Sequence, residues 1–255
     1  MKFLHDVWFT FLRHFRASLR EPIWMFFSLI QPLTWLLLFT QLFENVILMP
    51  GFPTRSYLQF FVPGLIVMLA VFSSAYSGFE FLSDIYYGML EKVLVTPVNR
   101  YALIIGTAMN WALELVIQML IVFGIAYILG AKIATGILGI ALTIVVVVLL
   151  GLGFFGFSNA LVLKTKKEEP LVVTANLITL PLMFLSSIMM PSEFAPEWLR
   201  TAMKFNPLNY AVEAVRPLFL GEYNWHQYLI SITVLGTLAF IGVAVATFTL
   251  SRFSE

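Results

Sequence analysis

The 255-residue sequence contains no cysteine, only three histidines and few charged residues. Without cysteine, the chain cannot form disulfide bonds, thiolate metal sites or a cysteine nucleophile. His5, His14 and His226 are scattered along the sequence, so a histidine-based metal site is not expected. Charged residues make up 11% of the chain, whereas an average soluble domain is about one quarter charged. The net charge of +1 gives no support to nucleic-acid binding.

The sequence also lacks a phosphate-binding loop and a recognisable catalytic constellation. The pattern G-x-x-x-x-G-K-[ST] does not occur, so the chain cannot cradle the phosphates of ATP in that way. No paired carboxylates, histidine cluster or serine–base pair stand together at membrane depth. These absences disfavour an intramembrane enzyme.

What the chain has in abundance is hydrophobic residues, which form 60% of it and give a mean hydropathy of +0.91. This composition predicts an all-α integral membrane protein with a single domain over residues 1–255. Residues 1–21 alternate apolar and basic positions at helical spacing, which is typical of an amphipathic helix lying in the membrane interface. The alternative is that this segment merely precedes the first span. No A-x-A-like site follows it, so a cleavable signal peptide is not indicated.

Six apolar runs are long enough to cross the membrane, which takes about 20 helical residues. They cover residues 22–43, 58–82, 101–130, 136–163, 171–190 and 228–251.

Basic residues near the ends of these runs predict the orientation of the chain. If both termini are cytoplasmic, ten of the fifteen lysines and arginines lie inside and five lie outside. The excess on one side therefore predicts a multi-pass protein with both termini in the cytoplasm and with residues 84–100 and 164–169 in cytoplasmic loops.

Three polar residues interrupt the third apolar run at a spacing of four. Asn110, Glu114 and Gln118 lie on one helical face, which is unfavourable against lipid. Two interpretations stay open, namely hydrogen bonds between membrane helices and a stripe that lines a substrate path or proton site. Glu80, near the end of the second run and about one turn from Asp84, could reach the interface or pair with Lys92.

Residues 191–227, before the last run, are too polar to span the membrane and too apolar to form a free loop. Their periodicity predicts two short amphipathic helices, broken at Asn206 and Pro207 and dipping into the outer leaflet. Backbone at that depth needs protein cover or a water-filled cavity. The residues expected to characterise this re-entrant segment are Trp198, Asn206, Pro207, Tyr210, Glu213 and Arg216.

Two motifs resemble those of ABC-2 type transporter permeases. The first is GMLEKVLVTPVNRYALIIG, from residue 88, and the second is MMPSEFAPEWLRTAMKFNPLNYAVEAVRPLFLG, from residue 189. Their order, the six apolar runs and the amphipathic N-terminus extend the resemblance over essentially the whole chain. It is nearest to the drug-resistance and nodulation-factor export branch.

The resemblance implies an assembly in which this chain is a non-hydrolytic permease subunit of an ABC exporter. Two copies of a cytoplasmic ATP-binding subunit would carry ATP and Mg²⁺, and a second permease subunit would complete a homodimer or a heterodimer. The cytoplasmic membrane of a prokaryote is the expected location. The short helix after the second span would be the coupling helix that contacts the ATPase, through Met89, Leu90, Glu91, Lys92, Val93, Leu94 and Pro97. The chain itself is expected to bind no cofactor and no metal.

The resemblance leaves the substrate open. The branch implies a small amphipathic, drug-like or lipid-like molecule, and the alternative is a polysaccharide or a lipid-linked glycan. From the residues alone, an ATP-independent channel or secondary transporter is a third reading. Glu114 would then be its single candidate ion site, and one carboxylate alone is weak evidence for an ion-coupled transporter.

Overall fold

The computed structural model describes residues 2–20, 22–95 and 99–252, and this part of the chain is helical, without a β-strand. The helices in chain order are α1 (Lys2–Arg20), α2 (Pro22–Leu42), α3 (Tyr57–Ala75), α4 (Gly78–Tyr86), α5 (Met89–Leu94), α6 (Arg100–Ile128), α7 (Gly136–Thr165), α8 (Glu168–Phe184), α9 (Glu197–Met203), α10 (Pro207–Leu220) and α11 (Trp225–Arg252). Short 3₁₀ turns occupy Glu44–Leu48 and Ser192–Phe194.

Four helical stretches among the described residues are long and apolar enough to cross a membrane. They are Tyr57–Tyr86, which joins α3 and α4, together with α6, α7 and α11. The helices α6, α7 and α11 begin and end within three residues of the runs predicted at 101–130, 136–163 and 228–251. The protein is therefore an all-helical membrane protein, and the count of six spans stays a prediction.

The remaining two apolar runs correspond to α2 and α8. An apolar stretch of α2 covers Phe27–Leu42. Helix α8 has 17 residues, which gives a length of about 25 Å at 1.5 Å per residue, short of the roughly 30 Å of a hydrocarbon core. The run predicted at 171–190 thus overshoots the helix, which ends at Phe184 and continues as non-helical backbone over residues 185–191.

The run predicted at 58–82 is broken in the structure between α3 and α4. Ser158 of α7 explains how the break is accommodated, because its hydroxyl accepts a hydrogen bond from the Gly78 amide at 3.0 Å and donates one to the Ala75 carbonyl at 2.7 Å. These bonds replace the intrahelical bonds that the break removes. Next to it, the Asn159 amide donates to the Ser77 hydroxyl at 3.1 Å.

The core of the bundle is built on α3 and on the close pair α7 and α11. Helix α3 is buried along nearly its whole length. At Gly156 a Cβ would lie 2.0 Å from the Gly242 backbone, and Gly151 gives space to the Trp111 ring. The α7 and α11 backbones therefore touch at a place where only glycine fits.

The bundle has two ends, defined by the course of α6. Helix α5 lies near the start of α6, whereas the hairpin at residues 129–135 follows its end. The hairpin contacts α10, since the Thr135 hydroxyl donates to the Leu218 carbonyl at 2.8 Å and the Ala134 amide to the Phe219 carbonyl at 3.2 Å. Helices α1, α4 and α5 therefore lie at one end, and α9 and α10 at the other. Helices α9 and α10 occupy the segment predicted to hold two short helices, with Asn206 at the break, while their location in the outer leaflet stays a prediction.

Candidate functional site

The segment expected to act as a coupling helix begins with a left-handed glycine. Gly88 adopts φ of 63°, a conformation that L side chains rarely take, and it separates α4 from α5 by a sharp change of direction. Only Tyr87 and Gly88 stand between the two helices, so a displacement of α5 acts directly on α4.

The side chains of α5 divide between the chain's own core and the surface. Leu90 is 2% exposed and packs into the core, and Val93 is half-buried. Met89, Glu91 and Lys92 are exposed. Of the predicted coupling residues, therefore, Leu90 is covered by this chain itself, and the surface that another protein could touch is formed by Met89, Glu91 and Lys92.

Two predicted coupling residues, Leu94 and Pro97, lie partly or wholly outside the described part of the structure. Leu94 is the last residue of α5, and its side chain lies outside the described part of the structure. Pro97, with residues 96–98, lies outside the described residues altogether.

Directly behind α5, charged side chains of α1 and α4 meet. Arg13 Nη2 lies 2.5 Å from Asp84 Oδ2, and His14 Nδ1 contacts the Glu80 carboxylate. Pairing of Glu80 with Lys92, one of the two possibilities given for Glu80 above, does not occur in the structure, because Glu80 contacts His14 of α1 and Lys92 is exposed. We call Arg13, His14, Glu80 and Asp84 the charge cluster.

The neighbours of His14 indicate its tautomer. Arg13 Nη2 lies 2.7 Å from His14 Nε2, and a guanidinium can only donate. Nε2 therefore accepts, which places the proton on Nδ1, where it is donated to Glu80. In this arrangement His14 is a neutral imidazole that joins an arginine to a carboxylate.

The polar stripe of α6 continues the contacts of the charge cluster along α1. The Asn110 amide donates to Glu114 Oε1 at 3.0 Å, and the Ser18 hydroxyl of α1 donates to the same oxygen. Gln118 Nε2 donates to the Ser28 hydroxyl of α2 at 2.9 Å. All three stripe residues thus face α1 or α2 within the chain. These contacts agree with the interhelical reading, and a role in a substrate path stays a hypothesis.

Helix α1 is amphipathic, but its polar face is turned to the protein and its apolar face is exposed, the opposite of a helix in a soluble protein. Its buried residues include the polar Thr10 and His14, while Leu4, Trp8 and Leu19 are exposed. Water would not solvate such an apolar outer face well, but lipid would. The helix also lies close to α6, because a Cβ at Gly106 would come within 2.6 Å of Thr10.

Together these contacts connect three helices by polar side chains at the end of the bundle that carries α5. Arg13 and His14 contact α4, and Ser18 contacts α6. The geometry can transmit a displacement of α5 through α4 to α1 and α6. Sequence reasoning missed Arg13, His14 and Ser18. One signal could have found His14 and Ser18, since α1, α4 and α6 each carry polar residues four apart, which must find partners in a membrane. Arg13 lies outside that spacing.

At the opposite end, side-chain amide groups and Arg216 bond to the non-helical backbone after α8. Asn206 caps α10, with its Oδ1 accepting from the Leu208 amide at 2.9 Å, and its Nδ2 donates to the Leu182 and Leu185 carbonyls at 2.6 Å each. Asn209 Oδ1 accepts from the Ser187 hydroxyl at 2.7 Å. The non-helical residues 185–191 are thereby covered by protein, as backbone in a membrane protein requires.

Arg216 and Glu213 of α10 lie three positions apart but have separate partners. Arg216 Nη2 donates to the Ser187 carbonyl at 2.6 Å, and its guanidinium lies 3.8 Å from the centre of the Phe60 ring. Glu213 accepts from Asn209 at 2.6 Å and from Gln227 at 2.7 Å.

The other residues predicted for this segment lie nearer the surface. The Tyr210 hydroxyl donates to the Lys204 carbonyl at 3.0 Å. Trp198 of α9 is exposed, and Pro207 is the first residue of α10. Nowhere in the described ranges do three His, Asp or Glu side chains come together in a way that could hold a metal ion.

Comparison with known proteins gives matches along most of the chain. The family model described as ABC-2 type transporter matches residues 5–220. The putative transport permease ycf38 of Cyanophora paradoxa is 30% identical over 85% of this chain and 75% of its own length. The daunorubicin resistance ABC transporter permease protein DrrB1 of Streptomyces coeruleorubidus is 27% identical over 78% of this chain and 70% of its own. The inner membrane transport permease YadH of Escherichia coli K12 is 28% identical over 76% of each chain.

Proposed function

The chain belongs to the ABC-2 type transporter family, and we propose that it is the permease subunit of an ATP-driven exporter located in the cytoplasmic membrane of a prokaryote. Its substrate in this proposal is a small amphipathic, drug-like or lipid-like molecule. The name of the Streptomyces relative refers to daunorubicin resistance, which supports this class over a glycan. The family and the relatives' names support a transport role without catalysis by this chain.

The observation that carries the proposal is the connection from α5 to the membrane helices. The exposed residues Met89, Glu91 and Lys92 offer a surface to a cytoplasmic ATP-binding subunit. Behind them, Gly88 leads into α4, and Asp84 of α4 contacts Arg13 of α1. Closure of the ATPase would push α5, and the charge cluster would pass the movement to α1 and α6. ATP and Mg²⁺ would be bound by two copies of that partner.

The uncovered face of α2 supports a second permease subunit. Gln31, Thr34 and Gln41 lie on one side of this apolar helix, are exposed, and make no side-chain hydrogen bond to the described part of the chain. Amide groups facing lipid are costly, whereas amides carry both donors and acceptors and can pair with an identical surface. A homodimer would cover this face.

The test is the ATPase activity of the reconstituted complex with and without substrate. Glu91→Lys reverses an exposed charge on α5 without touching the core, and we expect it to abolish substrate stimulation or to weaken binding of the ATPase subunit. Glu197→Lys, at an exposed position of α9 at the opposite end, is the matched control and should behave as the wild type. Wild-type stimulation in the Glu91→Lys complex would contradict the coupling proposal, and stimulation by glycans but not by drugs or lipids would redirect the substrate class.

A further inference from the structure

A cleft of about 430 Å³ lies between α1, α5 and α6, beside the charge cluster. Its apolar lining comes from Phe9 of α1, Val93 of α5 and Leu103 of α6, and its polar lining includes Asp6 and Arg13. Sites for small molecules have volumes of about 300–1,000 Å³ and combine a mostly apolar wall with a few polar groups. The cleft has both properties.

We propose that this cleft is a binding site for cationic amphiphiles, with the apolar body between Phe9, Val93 and Leu103 and the cationic group at Asp6. The inference rests on the proposed export function, because it makes the cleft the place where a substrate first contacts the permease.

The preference for a cation follows from the balance of charges around the cleft. Arg13 is the single lysine or arginine in the lining, and its charge is balanced by Asp84 at 2.5 Å. Among the described residues, the Asp6 carboxylate accepts one hydrogen bond, from the backbone amide of Asn99 at 3.2 Å. An anion would meet the Asp6 carboxylate in the lining, whereas a cation would be attracted to it.

The preference for an amphiphile follows from the position of Phe9. This side chain lines the cleft and also belongs to the exposed apolar face of α1, next to Trp8. The ring of His5 lies 4.3 Å from that of Phe9 and extends the aromatic wall. The cleft is thus continuous with the surface that lipid would solvate, so a molecule dissolved in the leaflet can enter it sideways.

The size of the cleft and its contact with α5 distinguish it from a mere gap in packing. Helix α6 has 29 residues, about 43 Å, and exceeds the hydrocarbon by about 13 Å. Leu103 lies in the first turn of α6 and so falls near the headgroup level. Val93 belongs to α5, so a bound molecule touches the element that would contact the ATPase.

The experiment uses the absence of cysteine from the chain. A cysteine is introduced at Val93, in the cleft, or at Val95, which is 86% exposed and outside it. Each permease variant, in phosphatidylcholine nanodiscs, is labelled with a maleimide in the presence of dodecyltrimethylammonium or of uncharged dodecanol. We expect the cation to slow labelling in Val93→Cys and to leave Val95→Cys unchanged, with dodecanol much less effective. Because no ATPase subunit is present, the result is independent of the export proposal.

Asp6→Asn, combined with Val93→Cys, tests the charge. An exposed ion pair contributes only modestly to the binding free energy. The half-protecting concentration of the cation should therefore rise about threefold to fivefold, while that of dodecanol stays the same. An equal change for both probes would mean that the substitution deforms the cleft, and the charge assignment would fail. Equal protection of Val93→Cys and Val95→Cys by the cation, or no protection of Val93→Cys by the cation, would overturn the site.

Discussion

The contact between Arg13 and Asp84 provides the sharpest test of the charge cluster, through the substitution Arg13→Met. Methionine keeps the apolar stem of the side chain but removes both contacts of the guanidinium, the one to Asp84 and the one to His14. Asp84 would then keep only His14 Nε2, at 3.8 Å, which is too long for a hydrogen bond.

The stability that Arg13→Met is expected to lose depends on how exposed the Arg13 and Asp84 side chains are. Loss of one partner from a fully buried ion pair costs about 3–5 kcal/mol, and an exposed pair contributes about 0–1 kcal/mol. The Arg13 side chain is 31% exposed and that of Asp84 is 17% exposed, so the pair lies between these limits. We expect Arg13→Met to lower the free energy of unfolding by about 1–2 kcal/mol.

The measurement is a double-mutant cycle on the purified permease in nanodiscs, with Arg13→Met, Asp84→Asn and their combination. The two substitutions should be less harmful together than the sum of their separate effects, by roughly 1 kcal/mol. Arg16→Met is the control, because Arg16 is an exposed arginine one turn further along α1. If Arg13→Met costs no more stability than Arg16→Met, or if the cycle gives additive effects, the charge cluster does not join α1 to α4.

Two further predictions concern topology and the polar stripe. A single cysteine at position 197 should be labelled from outside intact cells and one at position 166 should not, and the reverse pattern would refute the orientation derived from basic residues. Glu114→Leu should weaken the packing of α1 on α6 by about 1 kcal/mol, seen as a lower unfolding temperature, whereas Glu114→Gln should lose less because it can still bond Ser18. If Glu114→Leu abolishes transport at unchanged stability, the residue lines a path instead.

The sequence predicted the long helices well because their signal is local. In α6, α7 and α11 a long and mostly apolar run coincides with the helix, and in α6 the capping residue Asn99 also marks the start. Helix α8 shows the limit of that signal. Hydropathy stays high over residues 185–190, so nothing local indicates that the helix ends at Phe184. The reason lies in Asn206, 24 positions beyond Leu182, whose side-chain amide donates a hydrogen bond to the Leu182 carbonyl.

The charge cluster could not be predicted in the same way. Arg13 and Asp84 are 71 positions apart, and no pattern around either residue identifies the other. Lys92 was the nearer cation in sequence, but α5 turns away from α4 at Gly88 and leaves it at the surface. Likewise, a spacing of four placed Asn110, Glu114 and Gln118 on one face, yet it could not tell that α1 and α2 cover this face.

The chemistry of the two ends indicates which of them moves. Around residues 185–191, Asn206 and Arg216 donate to backbone carbonyls, so these bonds fix the course of one irregular segment and cannot be exchanged without unfolding it. At the α5 end, the contacts join side chains of separate, intact helices, for example Arg13 to Asp84. Such contacts can break and form while every backbone hydrogen bond remains. We therefore expect a rigid-body shift of α1 against α4 to cost less free energy than a change at the other end. It would take place next to the helix that, in the proposal, receives the force of the ATPase.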